Sequence, residues 1–178
     1  METEFAILNF IQNYLRTPVG DGLMIFISAL GNLGIIWIVL GLALLVGKKH
    51  RKTGVLLLAA LGIEALLCNV WLKPAVAAPR PCDLNTAVEL LIPRPGDYSF
   101  PSGHTGASFA AVCALYLGKE RYWYLGLILA ILMAFSRMYL YVHFPSDILG
   151  GMILGIASGF LAYGCGRLLS KIYSSQPS

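Results

Sequence analysis

The chain has 178 residues, 57% of them hydrophobic and only 12% charged, about half the share of charge that a water-soluble domain carries. A soluble globule is thereby excluded, and the length suits a single domain. The formal net charge of +4 does not point to nucleic acid, because several basic residues flank apolar runs, where the orientation signals of membrane proteins sit.

Residues 1–17 predict an amphipathic helix lying at the membrane interface. Phe5, Ile7, Leu8, Ile11, Tyr14 and Leu15 crowd one side, and Glu2, Asn9, Gln12, Asn13 and Arg16 largely the other. The stretch is too brief to cross a bilayer, which needs about 20 apolar residues. No cleavable leader is expected, because Met1 to Phe5 carries acids rather than a basic stretch. Pro18, Gly20 and Gly22 then break this helix from the first long apolar run.

Five membrane spans are expected, at 22–46, 54–72, 103–118, 122–141 and 147–169, in one all-α bundle over 1–178 with six helices in all. The first span is uncharged, and the second is interrupted only by Glu64, for which a hydrogen-bond partner inside the bundle is expected. The third and fourth are short and carry polar ends, Arg137 among them, which suits helices whose ends line a protein cavity. Small residues at Gly106, Ala110 and Ala114, and at Gly151, Gly155 and Gly159, predict close approach of two backbones. The cysteines Cys68, Cys82, Cys113 and Cys165 follow no zinc or disulfide spacing and are read as small apolar packing residues.

Basic residues set the orientation. The cluster Lys48-Lys49-His50-Arg51-Lys52 predicts a cytoplasmic loop, and five spans put Lys119, Arg121, Arg167 and Lys171 on the same side. The 73–102 loop and the Arg137–Ser146 segment then face outward. That outer side gathers Lys73, Arg80, Arg94, Arg137, His104 and His143, a concentration of positive charge whose natural occupant is an anion. Arg94 is read either as a headgroup contact or as a solvated charge. Asp83, Glu89 and Asp97 share the loop without a metal-ligand pattern and are taken as surface or gate residues.

Three local patterns sharpen this reading. Lys73 is followed, after six residues, by Arg80-Pro81; then come Pro101-Ser102-Gly103-His104; and Ser136-Arg137 is followed by five residues, His143, three residues and Asp147. Together they resemble the three-part signature of the type 2 phosphatidic acid phosphatase family, and the apolar flanks fit its membrane branch. The resemblance implies hydrolysis of a lipid phosphate without metal or cofactor. It makes His143 the nucleophile of a phosphohistidine intermediate, Asp147 its orienting partner and His104 the general acid and base. Lys73, Arg80, Ser102, Gly103 and Arg137 would hold the phosphate.

Elementary chemistry agrees. Residues four apart on a helix are neighbours, so Asp147 can fix the tautomer of His143. A turn at Pro101-Ser102-Gly103 that opens a helix presents free N–H groups to an anion. The compact size, the reduced first helix and the outward site resemble the small bacterial members of that family that recycle undecaprenyl diphosphate, and this resemblance makes undecaprenyl diphosphate the expected substrate. The relatives that recycle it can carry Asp where this chain has Gly103, which leaves phosphatidylglycerophosphate and phosphatidic acid as alternatives. A vanadium haloperoxidase or a non-catalytic lipid-phosphate binder are the rivals from other classes. The long apolar spans argue against the first, and the two histidines with Asp147 against the second. The expected partners are the bilayer and its lipid phosphate, with no nucleic acid and no obligate protein, at a bacterial plasma membrane with the site on the extracytoplasmic side.

Overall fold

Helices make up the regular structure of the computed structural model, which describes residues 1–174, with side chains described through residue 170. Lys171, one of the expected orienting residues, lies outside the described side chains. Helix α1, Glu2–Phe10, continues through a π-helical turn at Ile11–Leu15. Helix α2, Pro18–Leu30, starts on a Thr17 cap whose hydroxyl accepts the Gly20 N–H at 3.0 Å, with proline at the first helical position.

The uncharged run 22–46, expected as one span, is bent rather than a single straight helix. A 3₁₀ turn at Asn32–Gly34 separates α2 from α3, Ile35–Val46, and the two helices meet at 49°. Leu33 (φ 53°) and Gly34 (φ 68°) are both left-handed there, a conformation that a right-handed helix cannot contain. Gly31 is set by its neighbours, because a Cβ on it would strike the Met133 side chain and stand 2.7 Å from Cδ2 of His104.

Helix α4, Arg51–Ala65, runs through a π-helical stretch at Leu66–Leu72 into the short α5, Lys73–Val76. Its buried positions, Leu57, Ala60, Leu61, Glu64 and Cys68, keep helical spacing and then jump five residues to Lys73. That jump matches the i→i+5 period of a π-turn, and Pro74, which has no N–H for the carbonyl four residues back, lies at its end. The widened turn carries Lys73 inward. The expected loop 73–102 thus contains α5 and a second short helix, α6, Pro81–Leu84. Three longer helices complete the chain: α7, Gly103–Leu117; α8, Trp123–Tyr139; and α9, Pro145–Ser174.

Helix α7 is central, buried from Thr105 to Leu115 and enclosed by α4, α8 and α9. Trp37, Leu57, Ala60, Ala110, Ala111 and Ala114 form the main core beside it, where the Trp37 indole donates to the Ser108 hydroxyl at 3.0 Å. The small residues of α9 lie directly on the α7 backbone. A Cβ at Gly151 would stand 2.5 Å from the Ser102 carbonyl, and one at Gly155 would strike the Gly106 carbonyl.

Arg51–Leu84 and Pro145–Ser170 are each long and apolar enough to cross a membrane, with mean hydropathies of 2.2 and 1.8, and the bent α2–α3 pair adds a third candidate. Val39, Leu42, Ile128, Ile131, Ile153 and Phe160 stand exposed around the bundle, an apolar surface on a scale that soluble monomers do not present. His50 pairs with Glu120 at 2.8 Å, so the Lys48–Lys52 and Lys119–Arg121 groups share one end of the bundle.

Two expectations are corrected, those for Glu64 and Cys165, and α1 makes contacts that its sequence pattern does not show. Leu8 and Ile11 are buried, whereas Ile7, Phe10, Tyr14 and Leu15 are exposed. Asn9, exposed, accepts from the Tyr141 hydroxyl (2.9 Å), and Gln12, half-buried, donates to the Tyr139 carbonyl (2.8 Å). The reason is tertiary: α1 packs on the polar turn after α8, with Phe5 edge-on to Phe144. Glu64 is buried, but its Oε1 abuts Gly106 and has no hydrogen-bond partner among the described residues. Cys165 is exposed on the outer face of α9, while the other three cysteines are packed inside.

Candidate active site

The site is assembled where the N-termini of α7 and α9 meet the loop 77–102. Asp147 sits at the third helical position of α9 and accepts the Phe144 N–H at 2.8 Å, half of a capping box, with Pro145 pre-shaped for the first position. Its backbone carbonyl accepts the Ser102 N–H at 3.1 Å. One turn of α9 thus anchors both the His143 turn and the start of α7. Ser102 is the N-cap residue of α7 and is fully buried, with Thr105 donating to its hydroxyl at 3.1 Å. Gly103 and His104 open the helix, where the first N–H groups have no intrahelical acceptor. Gly103 is helical, and a Cβ there would meet only the Cys68 sulfur at 3.7 Å. Glycine at 103 is therefore not a requirement of the backbone.

Arg80 precedes a proline and takes the extended backbone that this imposes. Its buried guanidinium donates to the Asp97 carbonyl (2.9 Å), the Val142 carbonyl (2.8 Å), Asp97 Oδ1 (2.7 Å) and His143 Nε2 (3.1 Å). A guanidinium has no acceptor, so Nε2 of His143 carries the lone pair and the ring proton is on Nδ1. That proton faces Asp147 Oδ2 at 3.3 Å. Burial, and then the Arg80, Arg137 and Lys73 cations, push the His143 imidazole well below its ordinary value and keep it neutral. Ser99, fully buried, donates to the same Asp147 oxygen at 2.5 Å.

Lys73 is buried and ion-paired to Asp97 Oδ2. Burial alone would raise the Asp97 carboxyl, but Lys73 and then Arg80 outweigh it and hold it at about 2. Arg137, at the end of α8, is buried and donates to the Ser28 hydroxyl, and its Nε has no partner among the described residues. His104 places Nε2 3.1 Å from Oδ1 of Asn32. Arg94 pairs with Asp83 at 3.2 Å.

Lys73, Arg80, Gly103, His104, Arg137 and His143 all line one cavity of about 900 Å³, with Asp147 behind His143 and Ser102 behind Gly103. The cavity continues as an apolar groove along Leu33, Gly34, Ile38, Leu58, Leu61 and Gly62, between α3 and α4. Fixed cations and free helix N–H groups suit a phosphoryl group, and the groove is far larger than phosphate requires. Four polar residues here escaped the sequence reading. Asp97 is exposed at the cavity's edge, as a surface or gate residue would be, and it also stands among the cations, paired to Lys73 and Arg80. Ser28, Asn32 and Ser99 carry no motif, and only the helical spacing of Ser28 and Asn32 placed them on one face.

The sequence matches the PAP2 superfamily over residues 53–170. It is 38% identical over 151 residues to an undecaprenyl-diphosphatase of Sulfolobus acidocaldarius, covering 84% of this chain and 72% of that protein. Two solved structures are similar in fold. Aquifex aeolicus LpxE is superposed with a TM-score of 0.79 at 29% identity, over 91% of this chain and 95% of that one. The transmembrane PAP2 type phosphatidylglycerolphosphate phosphatase of Bacillus subtilis gives 0.73 at 28% identity, over 93% and 85%. An all-helical bundle with an apolar exterior, the three motifs around one cavity and these likenesses together establish that the chain belongs to the PAP2 superfamily, as one of its integral-membrane phosphatases.

Proposed function

We propose that the protein hydrolyses a membrane lipid phosphate or diphosphate through a phosphohistidine on His143, without a metal, and that undecaprenyl diphosphate is its substrate. The observation that carries the mechanism is the state of His143: Nε2 is unprotonated and faces the cavity cations, and Nδ1–H is backed by Asp147. Lys73, Arg80, Arg137 and the N–H groups at Gly103 and His104 hold and neutralise the phosphoryl oxygens. The Nε2 lone pair attacks phosphorus as the bond to the leaving oxygen breaks, and His104 gives that oxygen a proton. In the second half, His104 takes a proton from water, the water oxygen attacks phosphorus, and the P–N bond breaks with its electron pair returning to Nε2.

The groove along Ile38, Leu58, Leu61 and Gly62 supports a long apolar chain entering sideways from the bilayer, and the relative at 38% identity carries the undecaprenyl-diphosphatase name. A phospholipid monophosphate is the second reading, favoured by the structural neighbour named as a phosphatidylglycerolphosphate phosphatase and by Gly103. In the membrane, the bent α2–α3 pair, α4 with its π-turn, α7, α8 and α9 make five crossings. The basic end faces the cytoplasm and the site faces the opposite surface. Helix α1 lies along the interface and braces the His143 turn.

Phosphate release by the purified protein in detergent with EDTA is expected, together with acid-labile, base-stable labelling from substrate bearing ³²P. His143→Ala should remove both. A His143→Ala protein that still turns over would end the nucleophile assignment. Comparing undecaprenyl diphosphate, phosphatidylglycerophosphate and phosphatidic acid under the same conditions decides the substrate.

A further inference from the structure

The break in the first long apolar segment lies against the site, although none of the three motifs includes it. Gly31 fits because a Cβ would strike the Met133 sulfur and meet Cδ2 of His104 at 2.7 Å. Asn32 places Oδ1 3.1 Å from Nε2 of His104, and Ser28, one turn earlier, bonds Arg137. The turn is held by Leu33 at φ 53° and Gly34 at φ 68°. A non-glycine residue in the left-handed region is strained, at a cost it accepts only where surrounding structure demands it. A straight helix through 22–46 would avoid that cost and would carry Asn32 away from His104.

We propose that Asn32 is a positioning residue for turnover, whose carboxamide oxygen accepts the Nε2–H of His104 and leaves Nδ1 as the nitrogen that exchanges the proton with the leaving group and with water. This rests on the general acid–base reading of His104. The imidazole keeps Nε2–H in both its neutral and its protonated form, so Asn32 holds one ring orientation through both halves of the reaction. The charged groups that line this cavity are Lys73 on α5, Arg80 before α6, Arg94 and Asp97 in the loop that follows, Arg137 at the end of α8 and Glu64 on α4, with His143 beside them. Four of these six are cations, and a neutral acceptor at 32 holds the ring without adding an anion that would repel phosphate.

The test uses the full chain in detergent with dioctanoyl phosphatidic acid and farnesyl diphosphate as probes. Asn32→Ala is expected to lower kcat by roughly 10- to 100-fold, within the range of acid–base assistance, with KM within about threefold and unchanged thermal unfolding. Asn32→Asp puts an anion on the same ring nitrogen, so it should retain more turnover than Asn32→Ala and move the basic limb of the kcat profile up by about one pH unit or more. In a His104→Ala background, Asn32→Ala should cost nothing further. An Asn32→Ala protein within twofold of the parent, an Asn32→Asp profile that does not move, or additive losses in the double variant would each overturn the proposal while leaving the His104 reading intact. Full turnover by His104→Ala alone would overturn the His104 reading and this inference with it.

Discussion

Substituting Gly151 with alanine tests whether the packing of α9 on α7 sets the catalytic geometry. The added Cβ would stand 2.5 Å from the Ser102 carbonyl oxygen and 3.1 Å from Cβ of Thr105, whereas ordinary contacts begin near 3.4 Å. The obstacle is backbone, so relief requires the start of α7 to move from α9 by about 1 Å. That opening lies one helical turn from the bond between the Ser102 N–H and the Asp147 carbonyl, which joins the turn at the start of α7 to the His143 side. Overpacking of this kind costs about 1–3 kcal/mol, and a displacement of roughly 1 Å at reacting groups costs on the order of 100-fold in rate. Gly151→Ala is therefore expected to lower kcat about 100-fold and to lower the unfolding temperature in detergent. Gly164→Ala, on the same helix with nothing within 4 Å of the new Cβ, is the control and should gain about 0.5–1 kcal/mol of helix stability. Parent-like turnover and stability in Gly151→Ala would show that α7 and α9 are not rigidly coupled at the site and would refute the reasoning.

Two further outcomes come from the electrostatics. Asp97 stands among the cations where the phosphate is expected, so Asp97→Asn should tighten inhibition by inorganic phosphate or orthovanadate by roughly three- to tenfold, since each half-exposed pair it gives up is worth at most about 1 kcal/mol. Weaker inhibition would instead make Asp97 a ligand-positioning residue. His143 is pushed well below its ordinary value of 6.5, so the unfolded chain binds a proton there that the native protein does not. Its contribution makes stability fall as pH drops below about 6.5. Asp97, held at about 2, contributes stability that is complete above its ordinary value of 3.8 and is lost only as pH falls toward 2. Between pH 7.5 and 5.5 the thermal stability of His143→Asn should decline less than that of the parent, and equal slopes would rule out a buried neutral His143.

The membrane class, the approximate helices and the eight motif residues were legible because each rests on local information. Apolar length marks a helix that can cross a bilayer, glycine spacing marks a close helix contact, and fixed spacing ties His143 to Asp147. What holds α1 in place was not legible, because Asn9 and Gln12 find partners in Tyr141 and Tyr139, more than a hundred positions away in the chain. Asp97 looked like any loop acid until folding brought Lys73 and Arg80 beside it.

By itself, the sequence determined that this chain is a helical membrane protein and that Lys73, Arg80, Ser102, Gly103, His104, Arg137, His143 and Asp147 form the motif set of a phosphatase family. Hydrophobic length and residue spacing are properties of the chain before it folds. Tertiary structure alone decided that the first apolar run breaks at Gly31–Gly34, that Asn32 meets His104, that Ser99 supports Asp147 and that a groove leads from the cations between α3 and α4. Those features depend on which backbones touch, and a left-handed Leu33 or a buried Ser99 has no local signature because the contacts that require it come from other helices.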